Sequence, residues 1–182
     1  MKVIGVVGLP ASGKGEFSKI AAKRGVPVIV MGDMIRNAVK EGGLDPTDAN
    51  LGAMANKLRA EGGMDAIAHL CVPDIQRQTA PLVLVDGIRG DAEVAMFRRI
   101  FPGFTLISIG SSFETRLARI KERGRSDDFE SAGDLRSRDL RELDWGLGFA
   151  LKDADMHLSN EGTLAAFSVA VHNLLDTLGR DP

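Results

Sequence analysis

The chain has 182 residues, of which 44% are hydrophobic, 26% charged and 5% aromatic, enough to bury the core of one ordinary globular unit. Its 23 basic and 25 acidic residues leave a formal net charge of -2, which excludes a protein working by blanket attraction to nucleic acid or to an anionic membrane. Arg outnumbers Lys by 15 to 8, and the planar guanidinium suits phosphate and carboxylate, so any polyanion must be met by charge placed locally.

Short β-branched apolar runs alternate with amphipathic stretches, the pattern of an α/β protein with a parallel sheet and crossover helices. Strands are predicted at Lys2 to Val7, Val26 to Met31, Leu82 to Val85, Phe104 to Ile109 and Met156 to Leu158. Helices are predicted near Gly13 to Ala22, Asp33 to Lys40, Asp48 to Glu61, Met64 to Gln78, Asp91 to Arg99, Phe113 to Arg123, Asp134 to Leu151 and Leu164 to Leu178. The strand runs are nearly continuous hydrophobes, so both faces of the sheet should be covered. Residues 33 to 80 carry three helices and no strand, an insertion expected on the ligand-bearing edge of the sheet. The opening run Val3 to Ala11 is short for a signal sequence and meets Gly-Lys-Gly instead of a cleavage site. No stretch approaches the ~18 apolar residues of a membrane span. With Cys71 the single cysteine, a disulfide framework and a zinc cluster are excluded, and a reducing, cytoplasmic setting is expected.

Gly8-Leu9-Pro10-Ala11-Ser12-Gly13-Lys14 follows the first strand and opens the first helix. This is the P-loop arrangement: glycines let backbone N–H groups curl round a phosphate, the helix N-terminus adds partial positive charge, and Lys14 reaches the outer phosphates. Gly15 stands where Ser or Thr usually offers Mg²⁺ a hydroxyl. Gly-Lys-Gly resembles the adenylate kinase branch of nucleoside monophosphate kinases, whose loop reads G-x-P-x-S-G-K-G-T, with Glu16 here in the place of Thr. The resemblance implies Mg²⁺ held mostly by phosphate oxygens and water.

After the second strand, Met31-Gly32-Asp33-Met34-Ile35-Arg36 resembles the family's S-T-G-D-M-L-R, in which Arg holds the acceptor's α-phosphate and Asp orders the site. On position alone, Arg36 reads either as a crevice arginine at the carboxyl end of a strand or as a surface helix cation. Leu82-Val83-Leu84-Val85-Asp86 is an apolar strand ending in an acid, the Walker B form. It continues as Gly87-Ile88-Arg89, resembling D-G-F-P-R with the arginine one residue early. Arg89 reads as a second phosphate arginine or as a structural partner of Asp91 or Glu93.

Arg116, Arg119, Lys121, Arg123 and Arg125 face one acid, Glu122, and Arg116, Arg119 and Arg123 fall on one helical face. Gly124-Arg125-Ser126-Asp127-Asp128 and then Arg136, Arg138 and Arg141 follow. The order resembles the adenylate kinase sequence R-x-x-x-R, lid, R-x-D-D, R-x-R, with a lid reduced to Gly124 and a small hinge movement on closure. Asp155-Met156-His157-Leu158-Ser159-Asn160-Glu161-Gly162-Thr163 reads as a last strand, a turn and a Thr-capped helix, and resembles the place where related kinases touch the donor adenine. His69, His157 and His172 show no metal-ligand spacing. Trp145, Leu147 and Phe149 read as helix packing.

Taken over nearly the whole chain, the resemblance is to adenylate kinase-related P-loop proteins common in archaea. It implies a P-loop NTPase three-layer sandwich with five parallel strands in the order 2-3-1-4-5, one domain over 1–182, an acceptor-binding insertion at 33–80 and a short arginine-rich lid at 119–138. The implied activity is transfer of the γ-phosphoryl group of Mg-ATP to a nucleoside monophosphate, AMP first. ATP would lie on Gly8, Pro10, Ala11, Ser12, Gly13, Lys14, Gly15, Glu16, Arg119, Asn160 and Gly162. The acceptor would lie on Gly32, Asp33, Arg36, Arg89, Arg136 and Arg138. Lys14, Arg89, Arg123, Arg125 and Arg138 would face the transferring group, with Mg²⁺ on Asp86 through water. Two alternatives stay open: a dephospho-coenzyme A kinase-like enzyme with Asp33 at the acceptor hydroxyl, and a nucleotide-dependent switch that hydrolyses ATP slowly. The acceptor base and the oligomeric state are left undetermined.

Overall fold

The computed structural model describes residues 1–123 and 131–180. Five parallel strands, β1 (Lys2–Val7), β2 (Val28–Val30), β3 (Leu82–Asp86), β4 (Thr105–Gly110) and β5 (Met156–Ser159), lie in the order β2-β3-β1-β4-β5, as expected. The register pairs Val3 with Val83 and Ile4 with both Leu84 and Thr105. Alternation along each strand then builds two cores. Val3, Val7, Val83, Val85 and Leu106 face one side, and Ile4, Val6, Leu84, Ile107 and Ile109 face the other.

Helices α1 (Lys14–Lys23) and α9 (Leu164–Arg180) cover the second face through Phe17, Ile20, Phe167, Val171 and Leu175. The first face is covered by α3 (Asp48–Gly62), α4 (Ala66–Gln76) and α5 (Asp91–Ile100), through Ala55, Ile67, Cys71, Ile75 and Phe97. Phe97 stacks on Phe104 at 5.5 Å and on Phe101 at 6.3 Å between ring centroids. A three-layer α/β/α sandwich results, and all five strand ends open on one edge, where open α/β sheets bind ligands.

Two elements depart from expectation. β2 is shorter than Val26 to Met31, because Pro27 has no N–H for the ladder and contributes only its carbonyl, to Leu84 N at 2.9 Å. Met31 and Gly32 instead form the first turn of α2 (Met31–Glu41). The single helix expected from Asp134 to Leu151 is three pieces. It comprises α7 (Ala132–Glu142), started by a Ser131/Asp134 capping box, a π-helical turn Leu143–Leu147, and α8 (Gly148–Lys152). The break falls at Gly146, φ 94°, a left-handed backbone open to glycine. The strain has a spatial cause: the turn packs against the start of α5, and a Cβ on Gly90 would press into the Trp145 carbonyl oxygen. Helix α6 (Phe113–Arg123) precedes α7. The lid residues Gly124, Arg125, Asp127 and Asp128, and the side chain of Arg123, lie outside the described residues.

Candidate phosphate-binding cavity

A cavity of about 1110 Å³ runs along the carboxyl edge of the sheet, from the P-loop to the helical insertion. At one end stand Pro10, Ala11, Gly13, Lys14, Gly15, Glu16, Arg119, Asn160 and Gly162, and at the other Gly32, Arg36, Ala55 and Arg59, with Asp86, Arg89, Arg138 and Glu142 between. A single space therefore gathers residues from β1 to β5 that are up to 150 positions apart in the chain.

The P-loop takes its shape from backbone conformations that side chains resist. Ala11 has φ 60° and Gly13 φ 116°, and a Cβ on Gly13 would run into Asn160 Nδ2. That amide donates to Ser12 O at 2.9 Å, while Asn160 N donates to Gly110 O at 2.8 Å. The turn after β5 thus braces the phosphate loop from beneath. Arg119 completes the brace, donating to Asn160 O at 2.8 Å, Asn160 Oδ1 at 3.1 Å and Ser111 Oγ at 3.0 Å. Thr163 caps α9 as expected, accepting from Ala166 N.

Lys14 donates to Gly8 O and, at 3.1 Å, to Leu9 O, carbonyls of its own loop. Burial, with Arg89 adding repulsion, lowers its ammonium to about 8, against the opposing pull of Glu142 and Asp86. Ser18 Oγ, one turn along α1, donates to Asp86 Oδ2 at 2.7 Å and fixes the carboxylate at the end of β3. Asp86 supplies the hard oxygen that Mg²⁺ prefers. Among the described residues no group of three acidic, His or Cys side chains could hold a metal.

Arg89 is not paired through its side chain with Asp91 or Glu93. Its guanidinium meets Glu142 Oε1, to which Arg138 Nε also donates at 3.1 Å. Only its backbone N–H reaches Glu93 Oε2, at 2.6 Å. Glu93 is buried and in turn faces Arg59 at 3.4 Å, whose guanidinium lies 4.6 Å over the Trp145 ring. Burial drives the Glu93 carboxyl above its usual range, opposed by the Arg89 N–H and Arg59. For Glu142 burial also favours protonation, but Arg89, Lys14 and Arg138 together outweigh it and hold the carboxyl below the usual range.

Other expected residues are placed differently. Arg36 lines the cavity, held by Asp33 three residues earlier in a half-exposed pair, whereas Asp33 itself is not among the lining residues. Arg136 is exposed, lies 5.0 Å over the Phe113 ring and is not among the residues lining the cavity. Arg116 is a buried strut that donates to Asp139 through two nitrogens at 2.8 and 2.7 Å and to Pro10 O at 3.1 Å. It ties α6 and α7 to the phosphate loop. Trp145 lines the cavity, with Arg59 and Arg141 over its ring. Sequence reasoning passed over Arg59, Glu142 and Ser18, and named Glu93 only as a candidate partner of the Arg89 side chain, where the structure gives it the backbone N–H. The one signal for Glu142 was its i,i+4 spacing from Arg138, which is as common on solvated helices.

Comparisons agree with this geometry. The family model described as an AAA domain matches residues 4–141. The UPF0200 protein of Methanoregula boonei is 65% identical over 182 residues, covering all of both chains, and that of Methanoculleus marisnigri is 61% identical over 179, covering 98% of each. The crystal structure of TT1252 from Thermus thermophilus superposes with a TM-score of 0.69 over 97% of each chain at 18% identity, a likeness of fold. These matches are broader than an adenylate kinase assignment and do not single one out. With the phosphate loop, the Walker B acid and the 2-3-1-4-5 sheet in one frame, the chain belongs to the UPF0200 family of AAA-domain, P-loop kinase-like nucleotide-binding proteins.

Proposed function

We propose that the protein is an ATP-dependent phosphotransferase that moves the γ-phosphoryl group of Mg-ATP to a nucleoside monophosphate, AMP being the acceptor its motifs resemble. The observation that carries this reading is the continuity of one cavity of about 1110 Å³ from Lys14 to Arg36. That volume exceeds the ~300–1,000 Å³ of a pocket for a single drug-sized ligand, and its two ends offer separate anion contacts. The donor's phosphates would lie on the P-loop amides and Lys14, and the acceptor phosphate on Arg36, Arg89 and Arg138. Arg123 and Arg125 belong to the same reading through their motif. Bound Mg²⁺, next to Asp86, would neutralise charge on the phosphate oxygens. Because a phosphate acceptor is already anionic, positioning and charge stabilisation suffice and no general base is needed. A cytoplasmic site of action accompanies this reading. No helix among the described residues is long and apolar enough to cross a membrane.

The alternative with a hydroxyl acceptor loses support, since its base, Asp33, pairs with Arg36 and does not line the cavity. Labelled ATP incubated with AMP, other nucleoside monophosphates and dephospho-coenzyme A tests the reading. Label should pass to a monophosphate, and Lys14→Ala should abolish the transfer. Equal ATP turnover with and without every acceptor would establish a switch-type ATPase instead.

A further inference from the structure

Five cations that line the cavity are each held by a protein acceptor. Lys14 rests on its own loop, Arg36 on Asp33, Arg119 on Asn160 and Ser111, and Arg89 and Arg138 on Glu142. The last of these differs in kind. The Arg36–Asp33 pair is half exposed, and such pairs hold weakly. Arg119's partners are neutral. Glu142, by contrast, is 1% exposed, receives two guanidinium groups on Oε1, and among the described residues has no hydrogen-bond partner for its buried Oε2.

A buried carboxylate with one oxygen unsatisfied is a costly way to stabilise a helix end. A carboxylate is also the group that guanidinium pairs accept interchangeably with phosphate. Glu142 is moreover the last residue of α7, immediately before the π-helical turn Leu143–Leu147. The helix axis breaks four residues further on, at Gly146 with φ 94°, so the carboxylate sits at the end of a helix beside a kink rather than in the middle of a continuous helix.

We propose that Glu142 is a placeholder for the acceptor phosphate. In the free protein it holds Arg89 and Arg138 where that phosphate will bind, and the incoming phosphate takes its place as Glu142 turns away with the π-helical turn. The proposal rests on the reading above only in taking the ligand at this end to bear a phosphate. It accounts for two arginines converging on a buried acid inside a cavity, and for the orphaned oxygen.

The test uses the full chain with Mg-ADP saturating the P-loop, so that inorganic phosphate, the probe, reports the rest of the cavity, where Arg89 and Arg138 stand. Glu142→Gln keeps the shape and removes the competing charge. By calorimetry it should bind phosphate at least tenfold more tightly than the wild type, while Glu142→Asp stays within threefold of wild type. Equal or weaker phosphate binding by a folded Glu142→Gln protein would overturn the proposal. Should that variant not fold, hydrogen exchange of the wild type decides: phosphate should speed exchange across 142–147, and unchanged or slower exchange refutes displacement. Both readouts are independent of turnover. A protein that transfers phosphoryl groups normally yet shows neither effect loses the placeholder alone, and one that shows both effects but phosphorylates no acceptor loses the transferase reading alone.

Discussion

The contact between the start of α5 and the broken helix α7–α8 determines where Glu142 lies, and it depends on two glycines for different reasons. Gly90 has an extended backbone, φ -156°, which any residue can adopt, but its Cβ would come closer than 3.0 Å to the Trp145 carbonyl oxygen, where ordinary contact begins at 3.4 Å. Backbone cannot rotate away as a side chain can, so Gly90→Ala must push the π-helical turn off α5 by several tenths of an ångström. Overpacking of this kind costs about 1–3 kcal/mol. At Gly146 the balance is reversed. An added Cβ meets the Asp91 carboxylate, which can swing aside, and the Asp91 backbone N at 3.4 Å, an ordinary contact, but φ 94° is a left-handed conformation that costs a side chain ~1–2 kcal/mol. Urea denaturation of both alanine variants should show these losses, and the double variant should fall short of their sum because one contact is broken twice. Gly90→Ala should also weaken acceptor binding, since Glu142 and Arg138 ride on the displaced segment. Two variants within 0.5 kcal/mol of wild type, each with normal acceptor KM, would refute the claim that this close approach positions the site.

The Lys14 ammonium, lowered by burial from the ordinary 10.5 to about 8 in the folded protein, predicts that ATP affinity falls above about pH 8, where the free protein must take up a proton to bind phosphate. Calorimetry in buffers of different ionisation enthalpy checks that uptake, and Lys14→Met should abolish it. The sign for stability is opposite to that of a paired lysine: the unfolded chain holds this proton more tightly, so Lys14's contribution rises between about pH 8 and 10.5. Asn160→Ala removes the support at Ser12 O and one Arg119 contact, worth ~1–2 kcal/mol, and should weaken ATP binding by about tenfold with little change in acceptor KM. Arg116→Ala leaves Asp139 unpaired beneath the phosphate loop and should cost about 3–5 kcal/mol in chemical denaturation. A loss under 1 kcal/mol would mean that the strut is not needed.

How far the sequence carried the structure depended on the range of the interaction. The strand runs, the phosphate loop and the Walker B acid are local patterns, and each lies where its composition placed it. Thr163 likewise caps α9 as a natural N-cap should. The helix break did not show in the sequence because an isolated glycine in a helical pattern is usually tolerated. The left-handed backbone at Gly146 goes with a close approach of this turn to Gly90 and Asp91, more than fifty positions away. Arg116 and Arg119 share one helical face, but their roles divide: Arg116 is a strut to Pro10 and Asp139, while Arg119 braces Asn160 and Ser111. Glu142 reads as an ordinary helix acid, and Glu93 as a candidate side-chain partner of Arg89, until the fold places Arg89 between them, its side chain on Glu142 and its backbone on Glu93.

The near-neutral total charge also has a local counterpart. A cavity lined by Lys14, Arg36, Arg59, Arg89, Arg119 and Arg138 could be taken for an open anion sink, yet its buried cations are matched by buried acids: Arg59 by Glu93, and Arg89 with Arg138 by Glu142. Beneath it, Arg116 is matched by Asp139. Leaving several guanidinium groups uncompensated in a desolvated crevice would cost more than folding of one small domain can spare. The consequence is selectivity. A weak or singly charged anion gains too little from Arg89 and Arg138 to offset what Glu142 already provides, whereas a phosphate ester, with more charge and three oxygens to share, can. The same balance that keeps the chain near charge neutrality thus makes the arginine cluster a site that phosphate enters only by exchange.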